Sequence, residues 1–217
     1  MSLLDLLNPG EESNGDRIDG VMIGIVTNNK DLENMGRVKV KFPCSEIDDQ
    51  SHWARVATLM AGKDRGSYFL PEIGDEVLVA FEHGDINHPF IIGALWNGND
   101  KPPGTNENGK NDIRKFKSKS GHELIFDDEK HKEKVVIHTK AGHTIVLDDS
   151  SGSEKIEIKD KNGVNTIVMD SVQRGITIES SMFLKIKSKM IEIEADCMMT
   201  LKSKSMLTIQ GLPVKIN

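Results

Sequence analysis

The C-terminal half of this chain repeats one pattern: two apolar residues at i and i+2, a short polar stretch, then the next pair. In chain order the pairs are Leu124/Phe126, Val135/Ile137, Ile145/Leu147, Ile156/Ile158, Ile167/Met169, Ile176/Ile178, Leu184/Ile186, Ile191/Ile193, Met199/Leu201, Leu207/Ile209 and Val214/Ile216. A period of two is that of a strand with one apolar face. The spacings between pairs run 11, 10, 11, 11, 9, 8, 7, 8, 8 and 7. The early part is also a 21-residue repeat, SGHELIFDD (120–128), AGHTIVLDD (141–149) and NGVNTIVMD (162–170), with Gly121, Gly142 and Gly163 in register. Repetition of this kind constrains the fold more than any single motif does.

A strand of about five residues with one apolar face cannot bury that face alone. Single-chain solenoids enclose a core with coils of roughly 18 residues or more, so units of seven or eight are too short to be complete coils. They suit a prism in which each unit forms one side of a three-sided cross-section, its i and i+2 side chains meeting at the axis. Interleaving three copies would pair the strand edges and remove the aggregation hazard of an open, Ile-rich edge. We therefore expect residues 113–217 to form an intertwined triple-stranded β-helix in a homotrimer. Its core would include Val135, Ile137, Ile156, Ile158, Ile176, Ile178, Ile191, Ile193 and Leu207. Aromatic residues make up only 5% of the chain, which fits an axis with room for aliphatic side chains but rarely for a ring. The Lys-rich turns KIKSKM (185–190) and LKSKSM (201–206) would put solvated charge outside.

The first half obeys different rules. Residues 1–109 carry 9 Lys/Arg against 18 Asp/Glu, whereas residues 110–217 carry 19 against 16, so the halves net −9 and +3. Between them KPPGTNENGKND (101–112) has the composition of a linker. Five runs read as short strands divided by turns: VMIGIVT (21–27), GRVKVKF (36–42), WARVATLM (53–60), DEVLVAF (75–81) and PFIIGALW (89–96). Their count and length point to an OB-type five-stranded barrel over residues 20–100. The whole chain is thus expected to be all-β, with residues 1–19 as a separate N-terminal segment.

The barrel half also carries a resemblance. GRVKVKFP (36–43), SHWARVATLMAG (51–62), FLPEIGDEVLVAFEHGDINHPFIIGALWN (69–97) and KPP (101–103) resemble, in order and spacing, the baseplate assembly protein V and VgrG-like central spikes of contractile phage tails and related injection machines. The resemblance implies an OB domain joined to a hub, followed by a trimeric β-helical needle that sheath contraction drives through the target cell envelope. It implies a mechanical, non-enzymatic role with no cofactor. Only nineteen residues precede the barrel, so the hub is expected to be a separate protein, and the linker is too short for an inserted lysozyme domain. Some short spikes of this kind end in an iron-binding His-x-His motif. The last histidine here is His143, so no metal is expected at the tip. The apolar ending LTIQGLPVKIN makes Ile209, Leu212, Val214 and Ile216 candidate contacts for a separate PAAR-like cap.

Other features weigh less. His83 and His88 sit near Glu82 and Asp85, but no third metal partner is evident, and a solvated loop is the plainer reading. His122 and His143 share a repeat position and read first as turn side chains. Asp127-Asp128 and Asp148-Asp149 recur at strand ends and suit turn capping better than calcium binding. No GxSxG or HExxH motif supports an enzyme. Rival classes are a receptor-binding fibre or adhesin and an OB-fold nucleic-acid binder. The net −9 of the barrel half opposes the nucleic-acid reading, as do the apolar contexts of Trp53, Phe81, Phe90 and Trp96. Leu3, Leu4, Leu6 and Leu7, broken by Asp5, do not form a signal peptide. Cys44 and Cys197 lack CxxC spacing. Synthesis in the cytoplasm is expected, followed by assembly into a virion, tailocin or injection machine.

Overall fold

A computed structural model describes residues 17–43 and 50–215, and within them the regular structure is strand apart from one short 3-10 turn. The expectations for Leu3, Leu4, Leu6, Leu7, Cys44 and Ile216 lie outside the described residues. The chain divides into two compact units, Met1–Gly109 and Lys110–Asn217.

The first unit contains β1 (Val21–Asn28), β2 (Lys39–Lys41), β3 (Arg55–Val56), β4 (Ala61–Gly62), β5 (Arg65–Gly66), β6 (Glu76–Phe81) and β7 (Pro89–Leu95). Its five-stranded sheet has the order β2-β1-β6-β7-β3, and a bridge from Val38 to Ala54 joins the two ends into a closed barrel. Only the β3–β7 pairing is parallel; the other pairings in this sheet are antiparallel. Strict alternation in EVLVAF turns Val77, Val79 and Phe81 inward, where they join Val26, Val38, Val40, Phe42, Ala54 and Ile91 in one core. The Phe42 and Phe81 rings meet at 5.6 Å. Gly24 lets β1 press close: a Cβ there would stand 3.0 Å from a Val79 methyl and 3.2 Å from Val40.

The loop after β1 is tied by Asp31. Its carboxylate accepts from the backbone N–H groups of Glu33, Met35 and Arg37 and takes both ends of the Arg37 guanidinium at 2.8 Å. The Arg37 hydrogen bonds hold that carboxyl well below the usual carboxylate range.

Two expectations need correction here. The run 53–60 is a strand only at Arg55–Val56; Leu59 and Met60 face solvent, and the chain goes on into the small β4–β5 hairpin. Of the four aromatic residues placed in apolar surroundings, only Phe81 is in the core. Trp53 lies under the cationic ends of Arg37 and Lys39, Phe90 lies 4.4 Å from the Arg55 guanidinium, and Trp96 is 70% exposed. Their neighbours in the sequence are apolar, but each ring sits on the outward step of its strand or past the strand's end.

The second unit opens with seven five-residue strands: β8 (Ile113–Lys117), β9 (Glu123–Asp127), β10 (Lys134–His138), β11 (Thr144–Asp148), β12 (Lys155–Lys159), β13 (Thr166–Asp170) and β14 (Gly175–Glu179). They form an antiparallel meander in which every strand pairs with its sequence neighbour. Gly121, Gly142 and Gly163 all have positive φ, which explains why the repeat keeps glycine at each turn. From Ile113 to Glu179, then, the strands pair inside one chain, so interleaving between copies can begin only beyond Glu179. Among the described residues, 181–215 belong to no strand. This tail is extended, with bends at 181–182, 189, 196–197, 204–205 and 212–213, a period of seven to eight residues.

Candidate functional site

Because the meander register is unbroken, every apolar pair falls on the same face of the sheet. One row runs Phe116, Leu124, Ile137, Ile145, Ile158, Ile167, Ile178, each opposite the next on neighbouring strands. A second row runs Phe126, Val135, Leu147, Ile156, Met169, Ile176. The structure thus brings six of the expected core residues, Val135, Ile137, Ile156, Ile158, Ile176 and Ile178, onto one surface. In the single chain that surface is open to solvent: Ile145, Leu147, Ile156 and Ile158 are each about 40% exposed. Burying a fully exposed side chain of this size is worth about 1.5–3 kcal/mol, so covering the remaining two fifths adds roughly 1 kcal/mol each, and only the two rows taken together rival the net stability of a typical domain. An uncovered face of this length marks an interaction site.

After Glu179 the chain folds back over one end of this face. Ile145, Ile158, Ile167 and Ile178 on one side, with Phe183 and Leu184 on the other, border an open groove of about 800 Å³. The remaining expected residues lie in the tail. Ile191 and Ile193 follow the bend at 189, Leu207 and Ile209 follow the bend at 204–205, and Leu212 and Val214 lie at the described C-terminal end. All are exposed in the single chain.

The opposite face is mixed: its middle row runs Lys115, Ile125, Val136, Val146, Glu157, Val168 and Thr177, and charged residues flank that row on both sides. Down one side of the meander the cross-strand neighbours are Asp127, Lys134, Asp148, Lys155 and Asp170, so the sign of charge alternates at every strand. Lys134 approaches Asp127 at 3.5 Å. The Ser150 hydroxyl and N–H, with Lys134 and Lys155, hold the Asp148 carboxyl below its ordinary range. On the other side Lys117 pairs with Glu123 at 3.0 Å, and that hydrogen bond leads the lowering of the Glu123 carboxyl.

The edge turns are stapled in the same periodic way. His122 Nδ1 accepts the N–H of Lys140 at 3.3 Å, His143 Nδ1 accepts the N–H of Lys161 at 3.1 Å, and Asn165 Oδ1 accepts the N–H of Ser181 at 3.2 Å. The repeated histidines are therefore turn side chains that catch the next turn along the edge. Asp127, Asp148 and Asp170 accept from backbone N–H groups two or three residues on, which makes them turn caps. In the barrel, His88 Nδ1 meets Asp85 at 2.8 Å, and His83 occupies the 3-10 turn Glu82–Gly84 with positive φ. Among the described residues no cluster of three or more His, Cys, Asp or Glu is placed to hold a metal ion.

Sequence reasoning missed β8, whose apolar pair is spoiled by Arg114 opposite Phe126. It also missed the charge ladder, for which the alternation of Lys and Asp at strand ends was a usable signal.

With the geometry in place, comparison with known proteins decides the family. Residues 22–96 match the type VI secretion system/phage-baseplate injector OB domain. Residues 134–217 match the phage baseplate V C-terminal trimerisation domain. This is a baseplate V/VgrG-like protein. Similar VgrG proteins include the type VI secretion system spike protein VgrG3 of Vibrio cholerae, 33% identical over 134 residues, covering 56% of this chain and 13% of that protein. The actin cross-linking toxin VgrG1 of Vibrio cholerae is 32% identical over 134 residues, covering 56% of this chain and 12% of its own. The spike protein VgrG5 of Pseudomonas aeruginosa is 33% identical over 115 residues, covering 49% and 15%. The chain thus spans only about an eighth of the length of these relatives. The trimerisation-domain match takes in β10 to β14 and the tail, so the baseplate V/VgrG-like trimer is built by the region that carries the open apolar face.

Proposed function

We propose that this structural spike protein is the membrane-piercing central spike of a contractile tail or injection machine. Residues 20–100 form a collar that attaches to a separate hub protein, and residues 113–217 form a needle that sheath contraction drives through the target envelope. The observation that carries this reading is the pair of uninterrupted apolar rows in a chain that matches a trimerisation domain. Three such faces turned to a common axis give a dry, aliphatic core along the shaft, and force along the axis then loads many backbone hydrogen bonds at once. Val135, Ile137, Ile156, Ile158, Ile176 and Ile178 line the upper shaft, with Ile191, Ile193 and Leu207 below. Ile209, Leu212 and Val214 form the surface offered to a PAAR-like tip. The hub reading is supported by the β4–β5 hairpin, around which Leu59, Met60, Tyr68 and Phe69 are exposed, the last three bordering a groove of about 530 Å³. The action is mechanical and needs no cofactor, metal or catalytic side chain.

The test is assembly and puncture. Machines assembled without this chain should keep tube and sheath, lack the central spike, and fail to depolarise target cells. Particles that lack the chain yet puncture normally would overturn the proposal.

A further inference from the structure

The tail and the meander are built from the same charged residue types, yet only the meander satisfies them within the chain. Lys117 with Glu123, Lys134 with Asp127, and Lys159 with Glu157 are paired across or along strands. Among the described residues, no ion pair within the chain involves Lys185, Lys187, Lys189, Glu192, Glu194 or Asp196, nor Lys202 or Lys204. Nor does any backbone–backbone hydrogen bond among the described residues reach the segment 181–215. Its extended runs therefore have open edges and unmatched charge together.

The bends say where the partners must come from. With three copies around one axis, each bend moves the chain to the next side of a three-sided shaft, and the side it leaves is taken by a sister chain. Each extended run then lies on the following run of a sister, displaced by the bend period of seven to eight residues. Superposing the apolar pairs fixes the displacement: Leu184/Ile186 falls on Ile191/Ile193, and that pair falls on Met199/Leu201. The same superposition, chosen only from apolar residues, puts Lys185, Lys187 and Lys189 against Glu192, Glu194 and Asp196. It also puts Glu194 and Asp196 against Lys202 and Lys204. All five contacts are of opposite sign, as in the meander ladder Asp127, Lys134, Asp148, Lys155 and Asp170.

We propose that alternating charge sets the register between sister chains in the tail, the acidic run 192–196 of one chain lying between the basic run 185–189 of a second and Lys202/Lys204 of the third. This rests on the trimeric-spike reading. A one-residue slip in this arrangement would expose the apolar pairs and set the charges against the aliphatic core, so two independent patterns specify the same alignment.

The test uses the full chain with Cys44→Ser and Cys197→Ser, to which Glu194→Cys and Lys202→Cys are added together. After light scattering, a short bis-maleimide is applied and the products are separated on a denaturing gel. The expected result is a trimer in which 194–202 links join different chains into covalent dimers and trimers. A trimer whose links are absent, or lie only within single chains, overturns the register while leaving the spike reading intact. A monomer before cross-linking overturns both. As an independent reading, Lys202→Glu should shorten the lifetime of the SDS-resistant trimer by about tenfold, and Lys187→Glu, Glu194→Lys and Lys202→Glu together, which reverse both contacts of residue 194, should restore it. Equal lifetimes for wild type and Lys202→Glu also overturn the proposal.

Discussion

The meander and the tail are made of like materials, aliphatic pairs at i and i+2 with Lys, Glu and Asp between them, yet one is a sheet in a single chain and the other is not. The difference lies in spacing. Pairs set nine to eleven residues apart leave room for a five-residue strand and a reversing turn, so each strand finds its partner next door. Pairs set seven or eight apart leave room only for a bend, and the chain runs on to a place where no segment of its own awaits it. A change of about three residues in a repeat thus decides whether backbone hydrogen bonds are closed locally or are left to a partner.

The largest test of that contrast attacks what the two regions share. Ile156→Asp with Ile158→Asp places two carboxylates in the middle of the shared apolar face, and burying unpaired charge costs more than one interface can supply. Light scattering should find single chains of about 24 kDa rather than trimers. Next comes removal of everything after Ser180. The meander hydrogen bonds all lie before that point, so far-UV circular dichroism should retain the strand signal of the sheet. Resistance of the trimer to SDS should be lost, because the tail is the part that depends on sister chains. A third, smaller effect is acid sensitivity. Asp148 and Glu123 have folded-state carboxyls below their ordinary values, so their contribution is present at neutral pH. It is lost as pH falls through those lowered values, beneath the ordinary carboxylate range of about 4. Amide protection factors in β9 to β12, taken against the intrinsic rate at each pH, should fall there. The smallest effect is expected at the edge staples. His143→Ala should cost about 1 kcal/mol in unfolding free energy, whereas His143→Asn should be close to neutral, because Asn165 already does this work in the following turn.

Much of this architecture was legible from the sequence because burial on one side of a strand writes itself as period two. The apolar pairs, the positive-φ glycines and the five barrel strands all leave such marks. Other features leave weaker ones. In WARVATLM the apolar residues continue past the strand, since Leu59 and Met60 are exposed on the way to a hairpin, and composition cannot tell that exposure from core. Trp53 and Phe90 look apolar in sequence but lie beneath cations that a window of neighbours does not single out. In the tail, the bends at 189 and 204–205 fall in the Lys-rich turns KIKSKM and LKSKSM, but the regular spacing of all the bends was harder to read. Methionine recurs at 182, 190, 198 and 206, beside successive bends, but a flexible side chain with no turn preference gives no local signal.

The stapling of Ser181 by Asn165 marks where the chain's hydrogen bonds to its own sheet end, those beyond being local to the tail. Beyond it, each copy depends on two others for its fold, and this has a genetic consequence. A defective tail is not merely lost. It is incorporated, and with equal supplies of sound and damaged chains mixing at random only about one threefold assembly in eight would be free of the flaw. Lesions after residue 181 should therefore behave as dominant poisons, while lesions that prevent the sheet from forming at all should be recessive.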